Sequence, residues 1–217
     1  ILDAGCGVGG SSRYLATRLG ATRVLGCTLS PVQAQRGTAY NEQAGLSNIV
    51  RTEARDMMSL SAEDGPFDLI WSLESAEHIA DKQRMMELFY DLLAPGGRLL
   101  MATWCHRETP PVLTYDDNRL LDRIRRLYHL PPLVSLPELR FFAEKAGFAN
   151  VIVDDWSDQV APFWQAVIQS AMKLKSLRGL LKAGLPTIKG AIAMRYMTQG
   201  FKKDVIRFGL LQAEKQL

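Results

Sequence analysis

Residues Asp3-Ala4-Gly5-Cys6-Gly7-Val8-Gly9-Gly10 stand between an apolar start, Ile1-Leu2, and a stretch of helical character, Ser11–Leu19. Four of the six residues from Gly5 to Gly10 are glycine. Glycine costs backbone entropy, and a turn that only reverses the chain needs one. So many in a row imply a tight strand-to-helix turn whose backbone must come close to a ligand. Such turns lie at the carboxyl edge of a parallel sheet, which limits the chain to an α/β architecture.

The remaining pattern agrees. Short apolar runs at Arg23–Thr28, Asn48–Ala54, Phe67–Ser72 and Arg98–Trp104 alternate with helical stretches at Pro31–Gln43 and Lys82–Leu93. Ser11 or Ser12 is available to cap the first helix, and Pro31 suits a first helical turn. Pro95-Gly96-Gly97 is expected to stop the helix before the fifth strand. Alternation of this kind predicts a mostly parallel sheet of seven strands with helices on both faces, Rossmann-like in class. After Trp104 the rhythm breaks. Helices are expected at Asn118–Tyr128 and Pro137–Ala146, a strand at Asn150–Val153, mostly helix over 162–203 with breaks at Gly184-Leu185-Pro186 and Gly190, and a last strand at Val205–Ala213. The chain reads as one domain over 1–217: a cofactor-binding core at 1–104, helical cap insertions at 105–136 and 157–203, and a closing strand at 205–213. With no initiator Met and no lead-in helix, it also reads as N-terminally truncated.

Two glycine templates fit the loop. Gly5, Gly7 and Gly10 satisfy the dinucleotide pattern G-x-G-x-x-G, and Asp3, Gly5, Gly7 and Gly9 satisfy the D-x-G-x-G-x-G pattern of methyltransferases that use S-adenosylmethionine. A NAD site needs an acid about 20 residues further on for the ribose hydroxyls. Residues 4–41 contain no Asp or Glu. The acid instead precedes the glycines, where Asp3 can reach the ammonium end of a methionine moiety directly or through water. S-Adenosylmethionine is therefore the expected cofactor. Asp56, just past the third strand, is placed to accept from an adenine amino group, with Met57 packing on the ring. Cys6, Leu29, Ser30 and Ser72 complete the expected cofactor contacts.

The charge distribution points to two surfaces. Residues 1–158 carry 16 Lys/Arg against 21 Asp/Glu, a net of −5, whereas 159–203 carry eight cations and no acid, a net of +8. The cationic segment mixes apolar helical faces with basic residues, a pattern suited to peripheral contact with an anionic membrane. The stretch Gln159–Met172 is too short and too polar for a span. Nucleic acid is not expected as a partner, because the body is acidic and no aromatic-basic recognition motif appears. Cys6, Cys27 and Cys105 are an odd set without paired spacing, as in a reducing compartment. Three histidines without a carboxylate or cysteine cluster at ligand spacing give no reason to expect a metal.

Longer stretches carry a family resemblance. DAGCGVGGSSRYLA, TLSPVQAQR, FDLIWSLESAEHIADK, LLAPGGRLLMATWCHR, LLDRI, DDWSDQVAPFW, TIKGAIAM, QGFKK and VIRFGLL resemble the gamma-tocopherol methyltransferase family over nearly the whole chain. That family also includes plant enzymes that methylate the nitrogen of indole alkaloids. The TLSPVQ stretch further resembles cyclopropane fatty acid synthases, which implies that Thr28 and Gln33 serve the ribose. One departure is Glu74-Ser75-Ala76-Glu77-His78-Ile79-Ala80, where the family reads ESGEHMP; Ala76 for Gly narrows the space beside the expected acceptor.

The resemblance implies methyl transfer to an aromatic carbon beside a phenol hydroxyl, on gamma- or delta-tocopherol. The acceptor carbon must lie about 3–3.5 Å from the methyl group. The phenol proton, with a pKa near ~10, must be taken by a positioned base. His78 or Glu77 is expected as that base with the other orienting it, and His106 is the rival. Trp71, Trp104, Trp156, Phe163 and Trp164 are expected to wall the ring pocket. An indole-alkaloid N-methyltransferase, and an inactive prenyl-lipid-binding protein, are the alternatives. A homodimer is left open. The expected setting is a plastid envelope or plastoglobule in a plant or alga, and the cytoplasm or a membrane surface in a bacterium.

Overall fold

The computed structural model describes residues 1–171 and 185–217. Its strands are β1 (Leu2–Ala4), β2 (Val24–Thr28), β3 (Val50–Ala54), β4 (Phe67–Leu73), β5 (Leu93–His106), β6 (Ala149–Asp155) and β7 (Ile206–Glu214). They form the expected seven-stranded sheet, in the order β3-β2-β1-β4-β5-β7-β6. The pairings from β3 through β5 are parallel, with Leu2 opposite both Leu25 and Ile70. All three residues of β1 are buried. A central parallel strand has no solvent-facing side, so Asp3 in its middle is buried along with Leu2 and Ala4.

The described helices are α1 (Gly10–Arg18), α2 (Pro31–Gln43), α3 (Lys82–Leu92), α4 (Tyr115–Tyr128), α5 (Leu136–Lys145), α6 (Ser157–Ala171) and α7 (Leu185–Lys202). Local chemistry sets several of their starts. Ser30 caps α2 by accepting from Gln33 N, with Pro31 in the first turn. Asp81 accepts from Arg84 N at the start of α3. Thr114 and Asp117 form a capping box on α4, which therefore begins three residues before the expected Asn118.

Other boundaries differ from expectation. The N-cap of α1 is Gly9 in the left-handed region, with no side-chain cap, so neither Ser11 nor Ser12 caps it. Helix α3 ends at Leu92 and β5 begins at once. The Pro95-Gly96-Gly97 stretch lies inside that strand, where Gly96 N donates to Lys215 O and Lys215 N donates to Gly97 O. Helix α7 runs through Gly190 without a break, and Pro186 occupies its second position, where a missing N–H costs nothing. Residues 172–184 of the expected 162–203 helical stretch lie outside the described residues.

Two compact units divide the chain. The first comprises Ile1–Thr103, Leu139–Val153 and Leu210–Leu217. Part of its core gathers Leu15, Val24 and Val50, with Leu69 and Trp71 packed against them. The second comprises Trp104–Glu138 and Asp154–Gly209, and within it α4 and α6 both pack on α7. Ile124 and Met197 are fully buried there, and Gly200 brings α7 close to Ile124 and Ile206.

Candidate active site

Parallel pairing brings the carboxyl ends of β3, β2, β1 and β4 to one edge of the sheet. The loops that follow are stitched to their neighbours. Gly5 N and Cys6 N both donate to Cys27 O, Arg55 N donates to Thr28 O, and the Ser75 hydroxyl donates to Ala4 O at 2.5 Å. The segments 5–9, 28–33, 55–57 and 72–78 therefore form one contiguous rim in the first unit.

Gly5 and Gly7 each need glycine, for different reasons. Gly5 has φ 91°, and a Cβ there would lie 2.2 Å from Ser75 Cβ. Gly7 has φ 56°, and a Cβ there would meet nothing within 4 Å. The loop is thus closed against Ser75, just past β4, on one side and open on the other, where a ligand can approach its backbone. Cys6 is buried with its thiol pushed up to about 12, mainly by burial, so the side chain stays neutral. It is a packing group, and its contribution to the loop is its backbone.

Asp3 is 1% exposed, and Oδ2 accepts from Ser11 Oγ at 2.7 Å and Ser12 Oγ at 2.5 Å. Burial raises its pKa, and the two hydroxyls pull it back. The carboxylate is therefore turned inward to the first turn of α1. Both serines take the same oxygen, Oδ2, so Asp3 ties β1 to the first turn of α1 beside the glycine loop. Ser11 and Ser12, offered as caps by the sequence, instead donate to Asp3.

At the next strand end, Thr28 and Gln33 bond to each other. Thr28 Oγ1 donates to Gln33 Oε1 at 2.8 Å, and Ser30 N donates weakly to Thr28 Oγ1 at 3.4 Å. Leu29 between them is 74% exposed, an apolar side chain presented at the rim. Asp56 caps the short turn that follows β3, accepting from Met58 N at 2.9 Å. Met57 reaches back to Gly5, its Cε 3.6 Å from where a Cβ would stand. Ser72 is buried and shares a hydrogen bond with Ser75, 2.9 Å between the hydroxyls, so it braces the rim from beneath.

Glu77 and His78 lie in a short turn after β4, residues Ala76–His78. Their side chains diverge. Glu77 is 2% exposed and its Oε2 accepts from Thr103 Oγ1 at 2.7 Å. Burial pushes its carboxyl up to about 7, while the Thr103 hydroxyl and Lys82 pull it down. His78 is exposed, and partial desolvation, then Lys82, lowers its pKa. Thr103 rather than His78 is the group that orients Glu77. Nothing in the sequence marks Thr103 or Ser75 beyond a small hydroxyl residue near or just past the end of a strand.

The aromatic candidates separate. Trp71 packs against the Leu15, Val24 and Val50 cluster, with its Nε1 buried and without a hydrogen-bond partner. It is partly buried, and alternation along β4 turns Leu69 and Trp71 to that cluster. Trp104, in the second unit, is 6% exposed and meets Tyr128 edge to face at 5.0 Å. It too is packing. Trp156 and Phe163 are 40% and 58% exposed, and Trp156 Nε1 donates to Asp154 at 2.9 Å. The side chain of Trp164 lies outside the described residues. His106, the rival base, has Nδ1 2.6 Å from Arg107 O and Nε2 3.5 Å from Glu138 Oε2. Glu138 in turn accepts from Ser135 N and Oγ, so His106 braces the start of α5. Among the described residues no cluster of three or more His, Cys, Asp or Glu could hold a metal ion, and no helix is long and apolar enough to cross a membrane.

Residues 1–97 match a family model described as a methyltransferase domain. The chain is 44% identical over 218 residues to a probable tocopherol O-methyltransferase, chloroplastic, of Oryza sativa subsp. japonica, covering 99% of this chain and 60% of that protein. It is 40% identical to the tocopherol O-methyltransferase, chloroplastic, of Arabidopsis thaliana, covering 100% of this chain and 63% of that protein. The chain thus spans about three fifths of the length of these curated relatives. In fold it matches a phosphoethanolamine N-methyltransferase 2 of Haemonchus contortus solved with S-adenosyl-L-methionine, with a TM-score of 0.83 at 21% identity, over 100% of this chain and 48% of that one. By sheet order and glycine loop the chain has the fold of class I methyltransferases, it carries a methyltransferase domain over residues 1–97, and over its whole length it is similar to chloroplastic tocopherol methyltransferases.

Proposed function

We propose that the chain is the catalytic part of an S-adenosylmethionine-dependent methyltransferase. Its acceptor is the chromanol ring carbon beside the phenol hydroxyl, taking gamma- to alpha-tocopherol and delta- to beta-tocopherol in a plastid. The observation that carries this reading is Glu77. A buried carboxyl held at about 7 stands one loop away from an open, ligand-accessible glycine turn. A carboxyl tuned toward neutrality in such a place is suited to taking a proton from a phenol near pH 7.

The residues fit the cofactor. The open face at Gly7 admits it to the loop backbone, the Thr28–Gln33 pair and Leu29 flank the next loop, and Met57 and Asp56 close the far end. Bound there, S-adenosylmethionine supplies an electrophilic methyl group. The protein's tasks are then to hold the acceptor ring in line and to accept its phenol proton at a Glu77 carboxylate oxygen or at His78. Peripheral membrane contact through 159–203, whose cations lie partly outside the described residues, would bring a lipid-dissolved acceptor within reach.

The test is an assay of the full-length protein with labelled S-adenosylmethionine, offering gamma- and delta-tocopherol beside indole alkaloids. Label in the tocopherols is the expected result. Label only in the alkaloids overturns the acceptor, and no transfer to any of them overturns the activity.

A further inference from the structure

Lys82 opens α3 and is only 4% exposed. An ammonium group taken out of water must be satisfied by polar partners. Lys82 Nζ donates to Ala76 O at 2.9 Å and to Ile79 O. Those two carbonyls bracket Glu77 and His78. The turn's own backbone bonds, His78 N to Ser75 O and Ile79 N to Ala76 O, are each 3.1 Å. The lysine is therefore a second tie across the same four residues, anchored in a helix whose Met85, Met86, Phe89 and Leu92 are buried in the first unit.

We propose that Lys82 is a positioning residue: its buried ammonium clamps the turn that presents Glu77 and His78, and its fixed charge favours the proton-accepting form of each. The inference rests on the methyl-transfer reading above. Three groups act on Glu77. Thr103 on β5 donates to it, Glu74 in the loop before it repels its charge, and Lys82 on α3 attracts it. Lys82 is the charge that acts on His78. A positive charge favours the carboxylate of Glu77 and the neutral imidazole of His78, and these are the basic forms of both. Whichever of the two takes the phenol proton, loss of the lysine charge moves the population the same way. A residue that only braced the turn would lower activity equally at every pH.

The test uses the full-length enzyme with Lys82→Met, which keeps the apolar stem and removes the charge, and Lys82→Arg, which keeps the charge. Lys82→Gln, a neutral side chain one bond shorter that keeps an N–H donor, is the second neutral variant, with circular dichroism checking the fold. In the neutral variants the acid limb of the kcat/KM pH profile moves to higher pH by roughly one unit, and in Lys82→Arg it stays near wild type. Independently of any acceptor, the His78 titration midpoint, read by NMR on labelled histidine, rises in the neutral variants. An unmoved His78 midpoint, or a loss of activity equal at all pH values, overturns the role assigned to Lys82. Failure of the methyl-transfer reading shows separately, as a wild-type enzyme that labels no tocopherol while the His78 midpoint still responds to Lys82.

Discussion

Thr103 Oγ1 donates to Glu77 Oε2 at 2.7 Å, a buried bond that joins β5 to the turn after β4. It fixes the carboxyl in one orientation and tempers the effect of burial, leaving the group at about 7. Glu77→Gln keeps the acceptor atom for Thr103 and removes the base. Turnover should fall by about 10²–10⁴, the range for a lost general base, while S-adenosylhomocysteine still binds. Rapid-quench turnover and calorimetric titration check the two halves.

The same carboxyl ties stability to pH. Its folded pKa, about 7, lies above the ordinary 4.5, so the folded chain binds more protons between those values than the unfolded one. Stability from this group is complete below pH 4.5 and is lost as pH rises through 7. The full effect is on the order of 3 kcal/mol. Glu77→Gln removes that dependence, so its stability relative to wild type should climb between pH 5 and pH 8. Urea unfolding at the two pH values measures the difference.

Gly5 and Gly7 separate stability from ligand binding. Gly5→Ala sets a Cβ against Ser75 as well as forcing a positive φ, and should leave little folded protein. Gly7→Ala meets no neighbour and costs only the left-handed backbone, about 1–2 kcal/mol. Because that face is open to the ligand, its affinity for S-adenosylhomocysteine should drop much further than its Tm. Calorimetry beside thermal melts distinguishes the two, and unchanged affinity in Gly7→Ala would count against the loop as the cofactor site.

What could be read from the chain beforehand follows a physical division. The glycine loop was legible because positive φ and close approach select glycine residue by residue. Thr28 with Gln33, and Glu77 after β4, were legible because motif spacing survives folding. Side-chain direction was not. Ser11 and Ser12 look like caps until β1 places Asp3 beneath them. Trp71 looks like a pocket wall until its register on β4 turns it to Leu15. Gly190 looks like a helix end, yet α7 continues through it because packing against α4 and α6 outweighs a local propensity of about 1 kcal/mol. Lys82 gave no signal at all, since its partners are main-chain carbonyls, which every sequence has.

Trp71 offers the sharpest check on that division. Its ring packs against the Leu15 cluster while its Nε1 is buried without a partner among the described residues. An unmet buried donor costs about 1–3 kcal/mol, so Trp71→Phe removes that cost while giving up part of the ring's packing. The two terms oppose, and the net change should stay within about 1 kcal/mol, whereas Trp71→Ala should lose about 3–5 kcal/mol. If Trp71 lined the acceptor pocket instead, Trp71→Phe would raise the acceptor KM. A core role predicts an unchanged KM with a small shift in the urea midpoint, and measuring both on one preparation decides between them.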